Sequence, residues 1–69
     1  MTPEQFKAWR TRMGFSQSRA AEALGISRSS VINYEAGEHR GDGRPAPIPK
    51  TVELACAAIA AGITAYTAP

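Results

Sequence analysis

Residues 17–36 read QSRAAEALGISRSSVINYEA. Ser16, just before this stretch, and Ser27 within it are residue types whose side-chain oxygen caps the first turn of a helix. Gly25 permits the positive backbone angle of a tight turn. Ala21 is small enough to let two helices cross closely. The stretch therefore predicts two short helices joined by a glycine-containing turn.

The two predicted helices span 17–24 and 28–36. Their apolar residues fall where the two helices join the rest of a core. Each feature alone is common, but together they favour the helix-turn-helix arrangement over a plain helical hairpin. The apolar positions are Ala20, Leu24, Ile26, Val31 and Tyr34.

A further helix is predicted at the start of the chain. Thr2 is a capping residue, Pro3 suits the first helical position, and Glu and Gln follow in the first turn. Gly14 is well placed to end this helix. Arg10 is a charge on the apolar stripe, so it needs a buried partner. The stripe itself consists of Phe6, Trp9 and Met13.

The second half of the chain predicts a loop and a last helix. Residues 37–49 are dense in Gly and Pro, which is typical of a loop, and loops of this length are often functional. The helix begins at Pro49 or Lys50 and ends at Gly62. Residues 63–69 are an extended piece or a frayed turn and are not assigned.

The charges are unevenly distributed. The chain has a net charge of +2, and all eight Lys and Arg residues lie at or before position 50. Glu53 is the only charged residue after that. This pattern favours contact with a polyanion in the first part and apolar packing in the second.

Several classes of protein are disfavoured. At 69 residues the chain predicts one domain, residues 1–69, without room for a large catalytic cleft. Cys56 and His39 fall short of a metal ligand set, so no cofactor is expected. Cys56 is expected to be a buried small hydrophobe rather than a reactive thiol. An enzyme is not expected, because the serines lack a histidine partner and His39 stands alone in a flexible loop.

Location is also predicted from the pattern of apolar residues. The first residues carry no export signal, so a cytoplasmic protein is expected. The apolar run 54–63 is too short to span a bilayer, which takes about 20 residues. No membrane partner or small-molecule ligand is expected.

Four motifs between Phe6 and Gly37 match a known family. The chain resembles the Cro- and repressor-like (Xre-type) helix-turn-helix regulators of phages and bacteria. The resemblance implies an all-α, λ-repressor-like domain of four or five helices that binds a palindromic operator in double-stranded DNA as a symmetric homodimer. The motifs are Gly14-Phe15-Ser16-Gln17, Ala20-Ala21, Leu24-Gly25-Ile26-Ser27, and Val31 through Tyr34-Glu35-Ala36-Gly37.

The resemblance also implies a partner for Arg10. In these repressors an arginine of the first helix commonly pairs with a glutamate near the end of the third, and Arg10 and Glu35 stand at those positions. A structural ion pair is therefore favoured over the alternative, in which Arg10 binds a phosphate.

The third helix carries the expected base-reading residues. In this motif its amino-terminal end enters the major groove. Spacing turns Val31, Tyr34 and Glu35 inward, and it leaves the opposite face for DNA. Arginine can bond guanine, asparagine can bond adenine, and isoleucine can pack on a thymine methyl or merely lie on the surface. The predicted base readers are Arg28, Ser29, Ile32 and Asn33.

Phosphate contacts are expected from two other regions. The start of the second helix offers unpaired backbone N–H groups, and the loop after the third helix carries two arginines, which are either phosphate ligands or solvated charges. The predicted phosphate-binding residues are Gln17, Ser18, Arg19, Ser30, Arg40 and Arg44.

The last helix predicts a dimer surface within residues 50–66. From Leu54 to Ala61 it has no polar residue, and a helix that is apolar all round buries more than one face. A second copy of the chain is the expected cover, although the division between core and interface stays open. The candidate residues are Leu54, Ala58, Ile59, Ala61, Ile63 and Tyr66.

Residues 43–47, Thr51-Val52 and the alanine-rich last helix are similar to the compact autorepressors associated with phage anti-CRISPR operons. That similarity implies an autorepressor that binds an inverted repeat in its own promoter. The main alternative is an antitoxin, which reads DNA and also binds a toxin protein. A helix-turn-helix used only for protein binding is disfavoured by the outward basic residues.

Overall fold

The computed structural model describes residues 1–67. Within them the chain forms four helices and no strand, and the only β-type pairing is an isolated bridge between Glu38 and Pro45. The predicted all-α helix-turn-helix fold is confirmed. The helices are α1 (Pro3–Arg12), α2 (Gln17–Leu24), α3 (Arg28–Ala36) and α4 (Lys50–Ala60).

Helix α1 begins with a complete capping box. The Gln5 N–H donates to Thr2 Oγ1 at 3.1 Å, and the Thr2 N–H donates to Gln5 Oε1 at 2.8 Å. Two of the N–H groups that a helix start leaves unpaired are thereby satisfied. The helix ends at Arg12, and the chain reverses through Gly14, whose φ of +75° is open to glycine at little cost.

The turn between α2 and α3 has the geometry that the sequence predicts. Gly25 has a φ of +71°, and the Ile26 N–H donates to the Ala21 carbonyl at 3.0 Å. Ala21 is buried at the point where the two helices pack against each other. A bulkier side chain there would push α3 away from α2.

One core joins all four helices. Tyr34 packs edge-on against Phe6, with ring centroids 5.8 Å apart, and Met13, Leu24, Ile26 and Ile59 pack around the buried residues. Burial raises the pKa of the Cys56 thiol to about 11, with a smaller effect from Glu53, so the thiol is protonated at neutral pH. The core residues are Phe6, Trp9, Ala20, Ala21, Val31, Val52 and Cys56.

A largely buried ion pair connects three of the helices. Arg10 donates through Nε to Glu35 Oε2 and through Nη2 to Glu35 Oε1, the latter at 3.1 Å. The same guanidinium donates through Nη1 to the Phe15 carbonyl at 2.9 Å. Gln17 adds a further bond from Nε2 to Glu35 Oε1 at 3.3 Å. Only 16% of the Arg10 side chain and 8% of the Glu35 side chain are exposed.

The segment after α3 is a loop, as the sequence predicts, and backbone hydrogen bonds join its two sides. The His39 N–H donates to the Arg44 carbonyl at 2.7 Å, and the Ala46 N–H donates to the Gly37 carbonyl at 3.2 Å. Ala46 is only 4% exposed. Backbone pairing across the segment, which composition alone does not reveal, closes residues 37–46 into a hairpin.

Helix α4 ends at Ala60, and Ala61 follows as its cap. The Ile63 N–H donates back to the Ala58 carbonyl at 2.8 Å, and no fifth helix follows in residues 61–67. The rest of the unassigned 63–69 segment lies outside the described residues. No helix in the described part of the chain has the length and apolarity to cross a membrane.

We expect Arg10→Ala to lower the free energy of unfolding by about 3–5 kcal/mol, because it leaves the Glu35 carboxylate, which is only 8% exposed, without its charged partner. Chemical denaturation followed by circular dichroism measures the change. Arg12→Ala is the matched control, since Arg12 is exposed and makes no ion pair within residues 1–67. Equal stabilities of the two variants would contradict a structural role for the pair.

Candidate nucleic-acid interface

Helix α3 presents a polar, basic outer face at its amino-terminal end. Arg28 and Ser29 are exposed, whereas Val31 is fully buried and Glu35 is turned into the ion pair. Arg28 forms no ion pair with any of residues 1–67, so its guanidinium is available to a ligand. The inward contacts of α3 thus determine which side chains its other face offers.

Ile32 lies on the same outer side. It is half-buried, yet it is not among the apolar residues that pack against the core. An apolar side chain in this position can contact a thymine methyl group in the major groove. Ser30 is less available, because its Oγ lies 2.9 Å from Ser27 Oγ, in a hydrogen bond that belongs to the helix cap.

The starts of α2 and α3 offer backbone donors. Ser16 Oγ accepts the Arg19 N–H at 3.0 Å, and Ser27 Oγ accepts the Ser30 N–H at 3.1 Å. The two N–H groups that precede each capped one keep no partner within the helix. Together with the helix dipole, these groups favour an anion such as a phosphate. They belong to Gln17 and Ser18 in α2, and to Arg28 and Ser29 in α3.

Two of the predicted phosphate-binding arginines are paired with carboxylates. Arg19 Nη1 bonds Glu22 Oε1, and its guanidinium lies over the Phe15 ring at 5.6 Å. Arg44 Nε donates to Asp42 Oδ2 at 2.9 Å. Both ion pairs are exposed. Exposed ion pairs contribute only about 0–1 kcal/mol to stability, so either arginine can exchange its carboxylate for a phosphate.

The Asp42 carboxylate is itself held in place by the hairpin. The Arg44 N–H donates to Asp42 Oδ1 at 3.0 Å, and this bond is the main cause that lowers the pKa of Asp42. Asp42 is therefore charged at neutral pH. It also accepts a hydrogen bond from the Arg44 guanidinium, which orients that side chain.

The side chains of Gln17 and Asn33 have partners that sequence reasoning missed. The Gln17 amide bonds Glu35, which leaves mainly its backbone N–H for a phosphate. Asn33 Oδ1 accepts the Arg40 N–H at 3.2 Å, so this predicted base reader contacts the hairpin. No local motif signals either contact, because Gln17 and Glu35 are 18 residues apart and the hairpin returns to α3 only after folding.

The candidate dimer residues divide between surface and core. Leu54, Ile63 and Tyr66 are 57%, 58% and 86% exposed. Ala61 is also exposed, and Ala58 is half-buried. Ile59, by contrast, packs against the core. The surface that α4 leaves uncovered therefore runs from Leu54 into the segment after the helix.

A groove of about 310 Å³ lies between α1 and α4. Glu53 lies in it, and a hydrogen bond from the Met1 ammonium at 3.1 Å lowers the pKa of that carboxyl. The groove is otherwise mostly apolar and has no Lys or Arg in its lining. The α2–α3 face, with Arg19 and Arg28 exposed, is the better suited of the two surfaces to a polyanion.

The described arrangement, two capped helices crossing at a tight turn with an outward basic face, defines a helix-turn-helix DNA-binding protein. A family model described as Helix-turn-helix matches residues 6–40, about half of the chain. The chain belongs to this family, of the Xre-like type that the sequence resembles. It is a DNA-binding transcription regulator whose ligand is double-stranded DNA. Comparison with curated proteins and with solved structures gave no match.

We expect Arg28→Ala to cost about 1–3 kcal/mol of binding free energy on a duplex selected from a randomised pool, and to relax the base preference at one position. Arg44→Ala should weaken binding to all duplexes by the same factor. It should also reduce the slope of log binding constant against log salt concentration by about 0.9. Fluorescence anisotropy over a range of salt concentrations measures both. Equal losses on selected and random DNA for Arg28→Ala would contradict base reading.

Proposed function

We propose that the protein is a homodimeric repressor of its own promoter, which binds an inverted-repeat operator. The observation that carries the proposal is the outer face of α3, where Arg28 and Ser29 are exposed beside unpaired helix N–H groups. A side chain that bonds guanine on two atoms distinguishes that base from the other three in the major groove. The face therefore suits reading of sequence as well as binding of charge.

The start of α2 anchors the domain in this mechanism. The N–H groups of Gln17 and Ser18 bind one phosphate, and Arg19 adds charge beside them once it leaves Glu22. Such contacts set the register of a protein on the duplex without reading its sequence. The Gln17 side chain meanwhile stays on Glu35, so the anchor of α2 is tied to α3.

The uncovered α4 surface supports the homodimer. Its exposed apolar side chains continue into a groove of about 270 Å³ that α2, α4 and the following segment line, with Ala23, Ile59 and Tyr66 among its residues. In a twofold dimer, residues near the axis meet their own images, and like charges there would repel. Residues 54–67 carry no charge, so the surface is suited to self-association.

Twofold symmetry gives the operator its form. Two copies of α3 enter major grooves one helical turn apart, about 34–36 Å, or at a multiple of that distance. Each dimer then reads an inverted repeat, and a repeat that overlaps a promoter blocks transcription from it. The similarity to autorepressors of anti-CRISPR operons supports the protein's own promoter as the target.

The exposed apolar surface also suits a second candidate, an antitoxin. In that case a toxin protein would cover Leu54, Ile63 and Tyr66, which are all strongly exposed. The two candidates differ in what the isolated chain does. A repressor dimerises by itself, whereas an antitoxin of this kind needs the toxin to cover the surface.

A reporter gene behind the DNA upstream of the coding sequence tests the proposed function. We expect the wild-type protein to reduce expression and Arg28→Ala to restore it, with both proteins present in equal amounts. In vitro, the wild type should bind an inverted repeat in that DNA with a steep salt dependence. Unchanged or raised expression with the wild type would contradict autorepression.

The dimer is tested with Leu54→Glu. A charge at this position would face its own image, so we expect a monomer at micromolar concentration in sedimentation equilibrium, where the wild type is a dimer. Ala8→Glu, which adds the same charge at an exposed position of α1, is the matched control and should remain a dimer. A wild-type protein that is monomeric at this concentration would contradict the homodimer.

A further inference from the structure

Asn33 lies on α3 with its side chain against the hairpin of residues 37–46. Its Oδ1 accepts the Arg40 N–H at 3.2 Å, and its Nδ2 lies 3.5 Å from His39 Nδ1. The two amide atoms thus contact one hairpin residue each, Nδ2 contacting His39 and Oδ1 contacting Arg40. The first contact is a hydrogen bond of ordinary length, and the second is long and weak.

The hairpin itself is closed by its own backbone. The Gly43 N–H donates to the His39 carbonyl at 3.1 Å, and the His39 N–H donates to the Arg44 carbonyl at 2.7 Å. These bonds set the shape of the hairpin, whereas Asn33 joins its tip region to the outer part of α3. Without Asn33, the hairpin would keep its shape but lose this attachment beside Arg40.

Arg40 differs from the other arginines near the proposed interface. Arg19 and Arg44 each pair with a carboxylate, but Arg40 is exposed and forms no ion pair within residues 1–67. A phosphate would therefore meet an Arg40 guanidinium that has no carboxylate to leave. The hydrogen bond from its backbone N–H to Asn33 holds the Arg40 backbone, and with it the position from which the side chain extends.

We propose that Asn33 is a positioning residue, which holds the hairpin against α3 so that Arg40 contacts a phosphate beside the major groove. This inference rests on the DNA-binding function proposed for α3. It reassigns Asn33 from the base-reading set. Recognition of adenine uses both amide atoms directed together into the groove, and here both are directed at His39 and Arg40.

The attachment is tested first on the free protein. Amide hydrogen exchange by NMR should show faster exchange of the Arg40 N–H in Asn33→Ala than in the wild type. Asn33→Asp keeps an oxygen acceptor at the same place, so it should preserve slow exchange. Circular dichroism verifies that each variant is folded. An Arg40 exchange rate that Asn33→Ala leaves unchanged would overturn the attachment.

The consequence for binding is tested with a duplex selected from a randomised pool and with its single-base variants. Asn33→Ala and Arg40→Ala should each weaken binding by the same factor on all duplexes. Each should also reduce the salt slope by up to about 0.9. The double variant should bind as the weaker single variant does, because both changes remove one contact.

Two results would overturn the positioning role. One is a change of base preference at a single position in Asn33→Ala, and the other is a double variant whose loss is the sum of the single losses. Failure of the proposed function looks different. In that case the wild type itself selects no duplex, while the exchange rates of the free protein still show whether Asn33 holds the hairpin.

Discussion

The largely buried ion pair between Arg10 and Glu35 is the interaction on which the rest of the structure depends. Two charges removed from water are stable only when their geometry is good and their remaining donors and acceptors are satisfied. Arg10 meets this condition with bonds to Glu35 and to the Phe15 carbonyl, and Gln17 supplies a further donor to Glu35. Helix α1, the turn after it, the start of α2 and the end of α3 are joined at this one place.

This constraint reaches the DNA-binding face through the rotation of α3. Because Glu35 is held inward and Val31 lies in the core, the face of α3 that carries Arg28 and Ser29 points to solvent. The Gln17 bond to the same carboxylate keeps the start of α2 in register with α3. The proposed phosphate anchor on α2 and the proposed base-reading surface on α3 are thus joined through one side chain, as a reader of sequence requires.

The parts of the fold that are local in the chain were predictable from sequence. Caps such as Ser16 and Ser27 and the glycine turn at Gly25 act within a few residues, so the bounds of α2 and α3 follow from them. The pairing of Arg10 with Glu35 came from resemblance to a family, because spacing along the chain does not show which charge an arginine meets 25 residues away.

The rest depends on contacts that form only on folding. Ala46 is buried although a segment rich in Gly and Pro has no apolar period to reveal it, and Asn33 meets a hairpin that returns to α3 in space. Ile59 and Leu54 are both apolar residues of α4, yet one packs on the core and the other is exposed. Because residues 54–61 include no polar residue, no sequence signal separates the two faces of this part of α4.

The most direct measurement of the central claim, that the α2–α3 face binds DNA, is an NMR titration of the labelled protein with a selected duplex. The largest amide shifts should fall at the starts of α2 and α3, with Arg40 in the hairpin. Residues of the α1–α4 groove, such as Gln5 and Cys56, should change little. Largest shifts in that groove, with the starts of α2 and α3 unchanged, would contradict the account.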